Sequence, residues 1–425
     1  MMHKNYRESI YNISIVTQQG KFIWNLYSGC IIPVEEEMDI LMQSEDVNRG
    51  KILEDCNFIV LEELDEASLV ENEEQKNILL KDEFLRLTIM LTNSCNYNCS
   101  YCYQGTHGSK KITNEVIESI VSYVQGEISR YNYKGLRVNW YGGEPLLCVG
   151  EIKKITGMLM MCCKKRNISY KASIVTNGSL LLNLENDFLK KNRIFQIQIT
   201  LDGLVEYYTS IKKTSAKNFE LVIGALIKYC EDFDMRVRIN YDGIHCSEVY
   251  KIIEFLLEEK KLNGKIKIYI APLLIAGEDT ENQQRRNGVY WDFLRHFVPD
   301  FIEKYGEKSL IYEKPIRRKV FCSSSRTGTA VIDYQGRIFN CSHDCSDGKR
   351  CRGKINEGTI KENQYEKVVH SAKCKKCSFF PVCLEGCTYT RLEKGNVINC
   401  EAYKMYMQSI MTYLLNKRIN ENFNK

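Results

Sequence analysis

Residues 85–102 read LRLTIMLTNSCNYNCSYC, and this stretch decides the fold. Its first half alternates apolar Leu85, Leu87, Ile89 and Leu91 with polar neighbours, the pattern of a strand. Its second half brings Cys95, Cys99 and Cys102 together within eight residues, directly behind that strand. Three thiolates this close share one small volume only from a loop wrapped around something. A structural zinc site requires four ligands; no fourth cysteine lies nearby, and His107 is the alternative fourth donor. A cubane held by three cysteines instead leaves one iron without a protein ligand, open to a substrate or cofactor.

Working outward, five more runs look like buried strands: 136–141, 170–176, 195–201, 235–241 and 265–272. Helical stretches follow each one. Thr113 is placed to cap a helix whose apolar residues Val116, Ile117, Ile120, Val121, Val124 and Ile128 share a face. Six β/α units imply an α/β fold with a parallel sheet and outer helices, either doubly wound or a partial (β/α)6 TIM-type barrel. Both arrangements put chemistry at the C-terminal ends of the strands.

The flanks differ from this core. Residues 34–84 hold 17 Asp and Glu against 4 Lys and Arg, a net of −13 in a chain of net +5, so the remainder carries +18. This shift marks a separate N-terminal module. It reads as three strands at 12–18, 21–27 and 30–33, helices at 35–43 and 49–55, a further run at 58–61 and an acidic helix at 67–80, which is winged-helix-like. Its acidity argues against nucleic-acid binding. The last 110 residues are cysteine-rich and loop-rich and close on a helix at 401–416. The expected domains are therefore 1–82, 83–310 and 311–425.

Composition sets the class. With 425 residues, 44% apolar and 27% charged, the chain has ample core and is not disordered. Its apolar runs, such as 266–274, are too short or too interrupted to span a bilayer. No apolar segment follows the polar N-terminus, so the expectation is a cytoplasmic protein with no membrane partner. In that reducing setting, 19 cysteines with only six His point to thiolate-held metal.

The spacing Cys95-x3-Cys99-x2-Cys102, with aromatic Tyr101 before the last cysteine, resembles the radical S-adenosylmethionine (radical SAM) family. The resemblance implies a [4Fe–4S] cluster on these three cysteines, whose open iron chelates SAM. One electron from it then cleaves the sulfonium to a 5′-deoxyadenosyl radical that abstracts a substrate hydrogen. An external donor of flavodoxin or ferredoxin type supplies the electron. Other positions match in order. Tyr141-Gly142-Gly143-Glu144-Pro145 resembles the segment that binds the methionine amino group, its glycines admitting close backbone approach. Thr176-Asn177-Gly178 and Thr200-Leu201-Asp202-Gly203 resemble the ribose and methionine contacts. Arg238 lies where the family often has a polar SAM contact, a core salt bridge being the other reading.

Downstream stand Cys322-x13-Gly336-x4-Cys341, Cys374-x2-Cys377-x5-Cys383-x3-Cys387 and Cys400. All seven cysteines and the glycine resemble the SPASM domain, which carries two auxiliary [4Fe–4S] clusters. By position, Cys322, Cys341 and Cys387 hold the first; Cys374, Cys377, Cys383 and Cys400 hold the second. The first set has three matched ligands, so either an iron is open or Cys345 or Cys351 completes it. A zinc ribbon on Cys374, Cys377, Cys383 and Cys387 would orphan three cysteines. Cys30, Cys56, Cys148, Cys162, Cys163, Cys230 and Cys246 read as small hydrophobes.

The N-terminal module resembles the precursor-recognition domain of ribosomal-peptide maturases, which captures a leader peptide as an added strand. The implied function is modification of such a peptide by a thioether or carbon–carbon crosslink. None of the proposed ligands lies in this module, so its removal is expected to leave the radical-generating machinery complete. The rival enzyme is an anaerobic sulfatase-maturating enzyme, which makes formylglycine. That family usually has Asp directly after the cysteine matching Cys341; here the order is Cys341-Ser342-His343-Asp344. A zinc-binding adaptor is the non-catalytic rival.

Overall fold

The computed structural model describes residues 5–423 apart from 35–46, 81–82, 106–107, 274, 276–277, 358–359, 368 and 396. Six parallel strands form the centre: β6 (Phe84–Met90), β7 (Gly135–Tyr141), β8 (Ser169–Thr176), β9 (Ile194–Thr200), β10 (Asp234–Tyr241) and β11 (Ile266–Pro272). They neighbour one another in chain order from β6 to β11. A doubly wound sheet would reverse that order at a switch point, so the core is a partial barrel. Each strand lies within a residue or two of the run expected from sequence.

The two faces of the sheet differ chemically. Leu85, Leu87, Ile89, Leu136, Val138 and Trp140 are 0–2% exposed and join the main apolar core. On β6 and β7 the alternate positions carry Thr88 and Asn139, with the Ser173 hydroxyl donating to Asn139 at 2.9 Å; Thr200, Arg238 and Tyr269 stand in register across β9, β10 and β11. Helices cover the apolar face. The helix Asn114–Arg130 is capped by Thr113, whose hydroxyl accepts from the Val116 amide at 3.4 Å. It buries Ile117, Ile120, Val121, Val124 and Ile128, each worth roughly 1.5–3 kcal/mol against exposure. The helix expected after β8 shrinks to a four-residue turn, Phe188–Lys191, because only 17 residues separate β8 from β9.

The cysteine-rich region does not stand apart from this sheet. Its strands β12 (Thr329–Ile332) and β13 (Ile338–Phe339) extend the sheet to eight, β12 running parallel to β6 and β13 antiparallel to β12. Sequence gives little sign of either, since runs of four and two residues show no periodicity.

At the other end, β2 (Asn12–Thr17), β3 (Gly20–Asn25) and β4 (Ile31–Val34) form the expected antiparallel sheet. A short strand β1 (Tyr6–Glu8) pairs with β5 (Ile59–Leu61). Helices follow at Val47–Asp55 and Glu66–Leu79; the helix expected at 35–43 falls on residues outside those described. The expectation of a detachable module needs correcting. Ile13, Ile15 and Leu26 belong to the main core, and Tyr11 and Val70 pack with Phe380 and Leu384 of the cysteine-rich region. Ion pairs Arg317–Glu73 (3.1 Å) and Lys375–Glu71 (2.8 Å) and the Thr327 amide donating to Ile78 O (3.1 Å) reinforce this contact. A charge boundary locates a change in surface composition, and it says nothing of which apolar face the segment buries. Among the described residues no helix is long and apolar enough to cross a membrane.

Candidate active site

The loop of Cys95, Cys99 and Cys102 leaves the C-terminal end of β6, as the spacing implied. Burial pushes the Cys95 thiol up to about 11 and raises Cys99 too. Metal binding at this loop therefore has to displace protons. Two donors already face the Cys95 sulfur: the Tyr97 amide at 3.4 Å and the Asn177 side-chain amide at 4.0 Å.

The Gly142-Gly143-Glu144 turn after β7 is pressed against this loop. Gly143 has φ +48°, and a Cβ there would lie 2.0 Å from the Ser94 carbonyl oxygen; one on Gly142 would lie 2.7 Å from Met90 Cβ. Only glycine permits that approach. The Glu144 amide donates to Ser94 O at 2.8 Å and the Gly143 amide to Gln104 Oε1 at 2.9 Å.

The Glu144 side chain is fully buried and acts as a strut. Its carboxylate accepts from the Thr176 hydroxyl (2.6 Å), the Asn177 amide (2.8 Å) and the Leu146 amide (2.9 Å). Thr176 and Asn177 thereby join the turn to the end of β8, and Asn177 Nδ2 donates onward to Asn96 Oδ1 at 2.7 Å. Tyr101 and Asp202 are likewise drawn together: the Tyr101 hydroxyl donates to Asp202 Oδ2, and Asp202 Oδ1 accepts from the Asn240 amide at 2.9 Å. These polar side-chain groups fix the loops through protein partners. Arg238 donates to Asn240 Oδ1 at 2.8 Å and lies over the Tyr269 ring; among the described residues it has no carboxylate partner, so the salt-bridge reading is not what forms.

A stack that sequence reasoning did not identify joins this mouth to the cysteine-rich region. His343 lies 4.3 Å from the Tyr103 ring and 5.0 Å from that of Tyr389, centroid to centroid. The Tyr103 hydroxyl in turn donates to that of Tyr141 at 3.0 Å. Burial, then the nearby Arg238, pushes His343 down to about 4, so it is neutral at pH 7. The only sequence signal was its place two residues past Cys341.

Cys374, Cys377, Cys383 and Cys400 line one apolar pocket, partly open to solvent, with about 340 Å³ of empty space counting that open part. Tyr403 borders the same pocket, and its buried hydroxyl has no hydrogen-bond partner among the described residues. Among those residues no three His, Cys, Asp or Glu converge on a point for a single ion. Tetrahedral zinc with Zn–S near 2.3 Å would hold its sulfurs about 3.8 Å apart. Four thiols around one pocket, with no three ligands among the described residues converging, suit a multi-atom cluster better than a single ion. Cys322 and Cys387 lie near enough to help raise the Cys341 thiol, which burial holds up at about 12, and Cys322 also helps raise Cys387. Cys345 and Cys351 pack instead against Met90, Val331 and Phe339.

Comparison with known proteins fits this geometry. Residues 89–258 match the profile of the Radical SAM superfamily. The chain carries a radical SAM domain. It is 22% identical over 363 residues to a cysteine-type anaerobic sulfatase-maturating enzyme of Clostridium perfringens (strain 13 / Type A), covering 76% of this chain and 95% of that one. It is 25% identical over 372 residues to the radical SAM cyclopropyl synthase TigE of Paramaledivibacter caminithermalis, covering 78% and 74%. The solved structure of native anSMEcpe with bound AdoMet superposes with a TM-score of 0.63 at 20% identity, over 79% of this chain and 99% of that one. That likeness shows the fold alone.

Proposed function

We propose that this radical SAM enzyme modifies a ribosomally made precursor peptide, installing a thioether or carbon–carbon crosslink in the cytoplasm with electrons from a flavodoxin- or ferredoxin-type donor. Cys95, Cys99 and Cys102 would hold the SAM-binding [4Fe–4S] cluster, and the Gly142-Gly143 backbone, Thr200 and Arg238 would border SAM. Cys322, Cys341 and Cys387 would hold one auxiliary cluster, and Cys374, Cys377, Cys383 and Cys400 the other. When bound, the cluster and SAM together supply a carbon radical able to take hydrogen from an unactivated position. The chain's own work is placement: Glu144 and Asp202 hold the loops, and the Tyr103–His343–Tyr389 stack borders the cleft where a peptide would enter.

One observation carries the choice of crosslinking over formylglycine formation. Asp344, the displaced counterpart of the sulfatase pattern's base, is fully buried and committed. It accepts from Arg350 Nε at 2.7 Å and from the Tyr365 hydroxyl at 2.7 Å. A base held that way is not available to a substrate. Sulfatase maturation remains the second reading, favoured by the match along 95% of the C. perfringens maturase and by the likeness, TM-score 0.62, to anSMEcpe with AdoMet and the Cp18Cys peptide.

Anaerobic incubation with SAM, a reductant and the short peptide encoded beside the gene, followed by mass spectrometry, separates the two. Loss of two hydrogens with sulfur retained marks a crosslink. Loss of sulfur with gain of oxygen from a sulfatase-derived cysteine peptide marks formylglycine and overturns the proposal.

A further inference from the structure

The cysteine loop is fastened to one helix, Val205–Lys212, that follows β9. The Tyr208 hydroxyl donates to that of Tyr97 at 3.1 Å, and the Ser100 amide donates to Ile211 O at 2.9 Å. At the helix end Lys212, only 3% exposed, donates from Nζ to the Tyr101 hydroxyl at 2.7 Å and pairs with Asp202 Oδ2 at 3.0 Å. Its ammonium also lies over the Tyr101 and Tyr208 rings, 5.4 and 5.6 Å from their centroids. The helix stops there because Lys213 turns left-handed, at φ +48°.

Burying this ion pair is costly, and apolar side chains of similar volume commonly stabilise a core at least as well. Stability alone therefore does not account for an ammonium here. Its location does. The Lys212 ammonium donates to the hydroxyl of Tyr101, which stands between Cys99 and Cys102 in the loop, and lies over that ring. A positive charge in a low-dielectric setting favours the more negative, reduced form of whatever the loop's thiolates hold.

We infer that Lys212 is a positioning residue for the SAM-binding cluster: it locks the Cys95–Cys102 loop through Tyr101 and raises the potential at which the site accepts its electron. The inference rests on the radical SAM reading of that loop and is independent of which peptide is modified.

The test uses full-length enzyme reconstituted with iron and sulfide: wild type, Lys212→Arg, Lys212→Met, and the double variant Lys212→Met/Asp202→Asn. The double variant removes both charges, so no lone carboxylate is left buried. Iron content is measured first, followed by the midpoint potential of the paramagnetic signal that changes on adding SAM. Lys212→Arg is expected to match wild type. Both methionine-bearing variants are expected to load iron and be reduced only at more negative potential, with Lys212→Met shifted further than the double variant. A wild-type potential in both, at full iron content, overturns the inference. So does failure of both to load iron while Lys212→Arg loads, which leaves Lys212 a purely structural role.

Discussion

His370 Nε2 lies 2.6 Å from a carboxylate oxygen of Glu74, 296 residues earlier in the chain. The other ring nitrogen faces Glu385 at 3.2 Å, between Cys383 and Cys387, and Arg391 pairs with that same Glu385 at 3.1 Å. Burial works against a charged ring, but the hydrogen bonds to Glu385 and Glu74 win and raise His370 above its ordinary 6.5. Glu385 is held down at about 2 and stays ionised throughout.

A raised histidine stabilises fully below its unfolded pKa and loses that contribution as pH rises through the folded value. The clasp between the N-terminal helix Glu66–Leu79 and the auxiliary cysteines should therefore weaken above neutral pH. Thermal unfolding between about pH 6 and about pH 9 is expected to show a falling midpoint in wild type and a flatter profile in His370→Gln. Parallel profiles would refute the clasp.

Gly143→Ala adds a methyl group 2.0 Å from the Ser94 carbonyl in a left-handed backbone. The strain is on the order of 1–3 kcal/mol and displaces the turn from the cysteine loop. SAM cleavage is expected to fall at least tenfold, with helix content by circular dichroism unchanged. Wild-type production of 5′-deoxyadenosine would count against this role of the turn.

Removing residues 1–80 uncovers the partners of Ile13, Ile15, Leu26 and Val70. At roughly 1.5–3 kcal/mol for each buried aliphatic side chain, the loss is comparable with the stability of a domain. The truncated chain is expected to aggregate during expression. Soluble truncated protein with native circular dichroism would show that the module is dispensable for folding.

The three clusters proposed above imply about 12 iron per chain, at four per cluster. Replacing Cys374 and Cys377 together by Ala removes two of the thiols around the apolar pocket. Reconstituted protein should then hold about 8 iron and still cleave SAM. A wild-type iron count in this variant would assign the pocket no cluster.

His343→Ala breaks the stack with Tyr103 and Tyr389. Small misplacements of a substrate cost on the order of a hundredfold. Peptide modification should fall by about that factor while SAM cleavage without peptide persists. Equal loss of both rates would place His343 in the SAM site instead.

The barrel was legible because each of its strands is a buried run long enough to show its pattern, and the three cysteines fall where a strand ends. The loop-fixing network was not. Glu144, Thr176, Asn177, Tyr101 and Asp202 stood out by position, yet position does not reveal that their side chains satisfy one another. Nothing in the sequence marks Lys212 as buried, because burial of a long polar side chain depends on partners over 100 residues distant, such as Tyr101. The strands β12 and β13 were hidden for a related reason: four and two residues carry no period, and their pairing comes from β6.

That pairing also orders events on the ribosome. Thr329 to Ile332 align with Arg86 to Ile89, about 240 residues earlier. At roughly 5–20 residues per second, on the order of 10–50 s pass between synthesis of the two segments. Through that interval the outer edge of β6, the strand that carries the cysteine loop, has no strand beside it. The loop thus gains its final support only when the auxiliary cysteines begin to emerge, which favours loading iron into a finished chain over a nascent one.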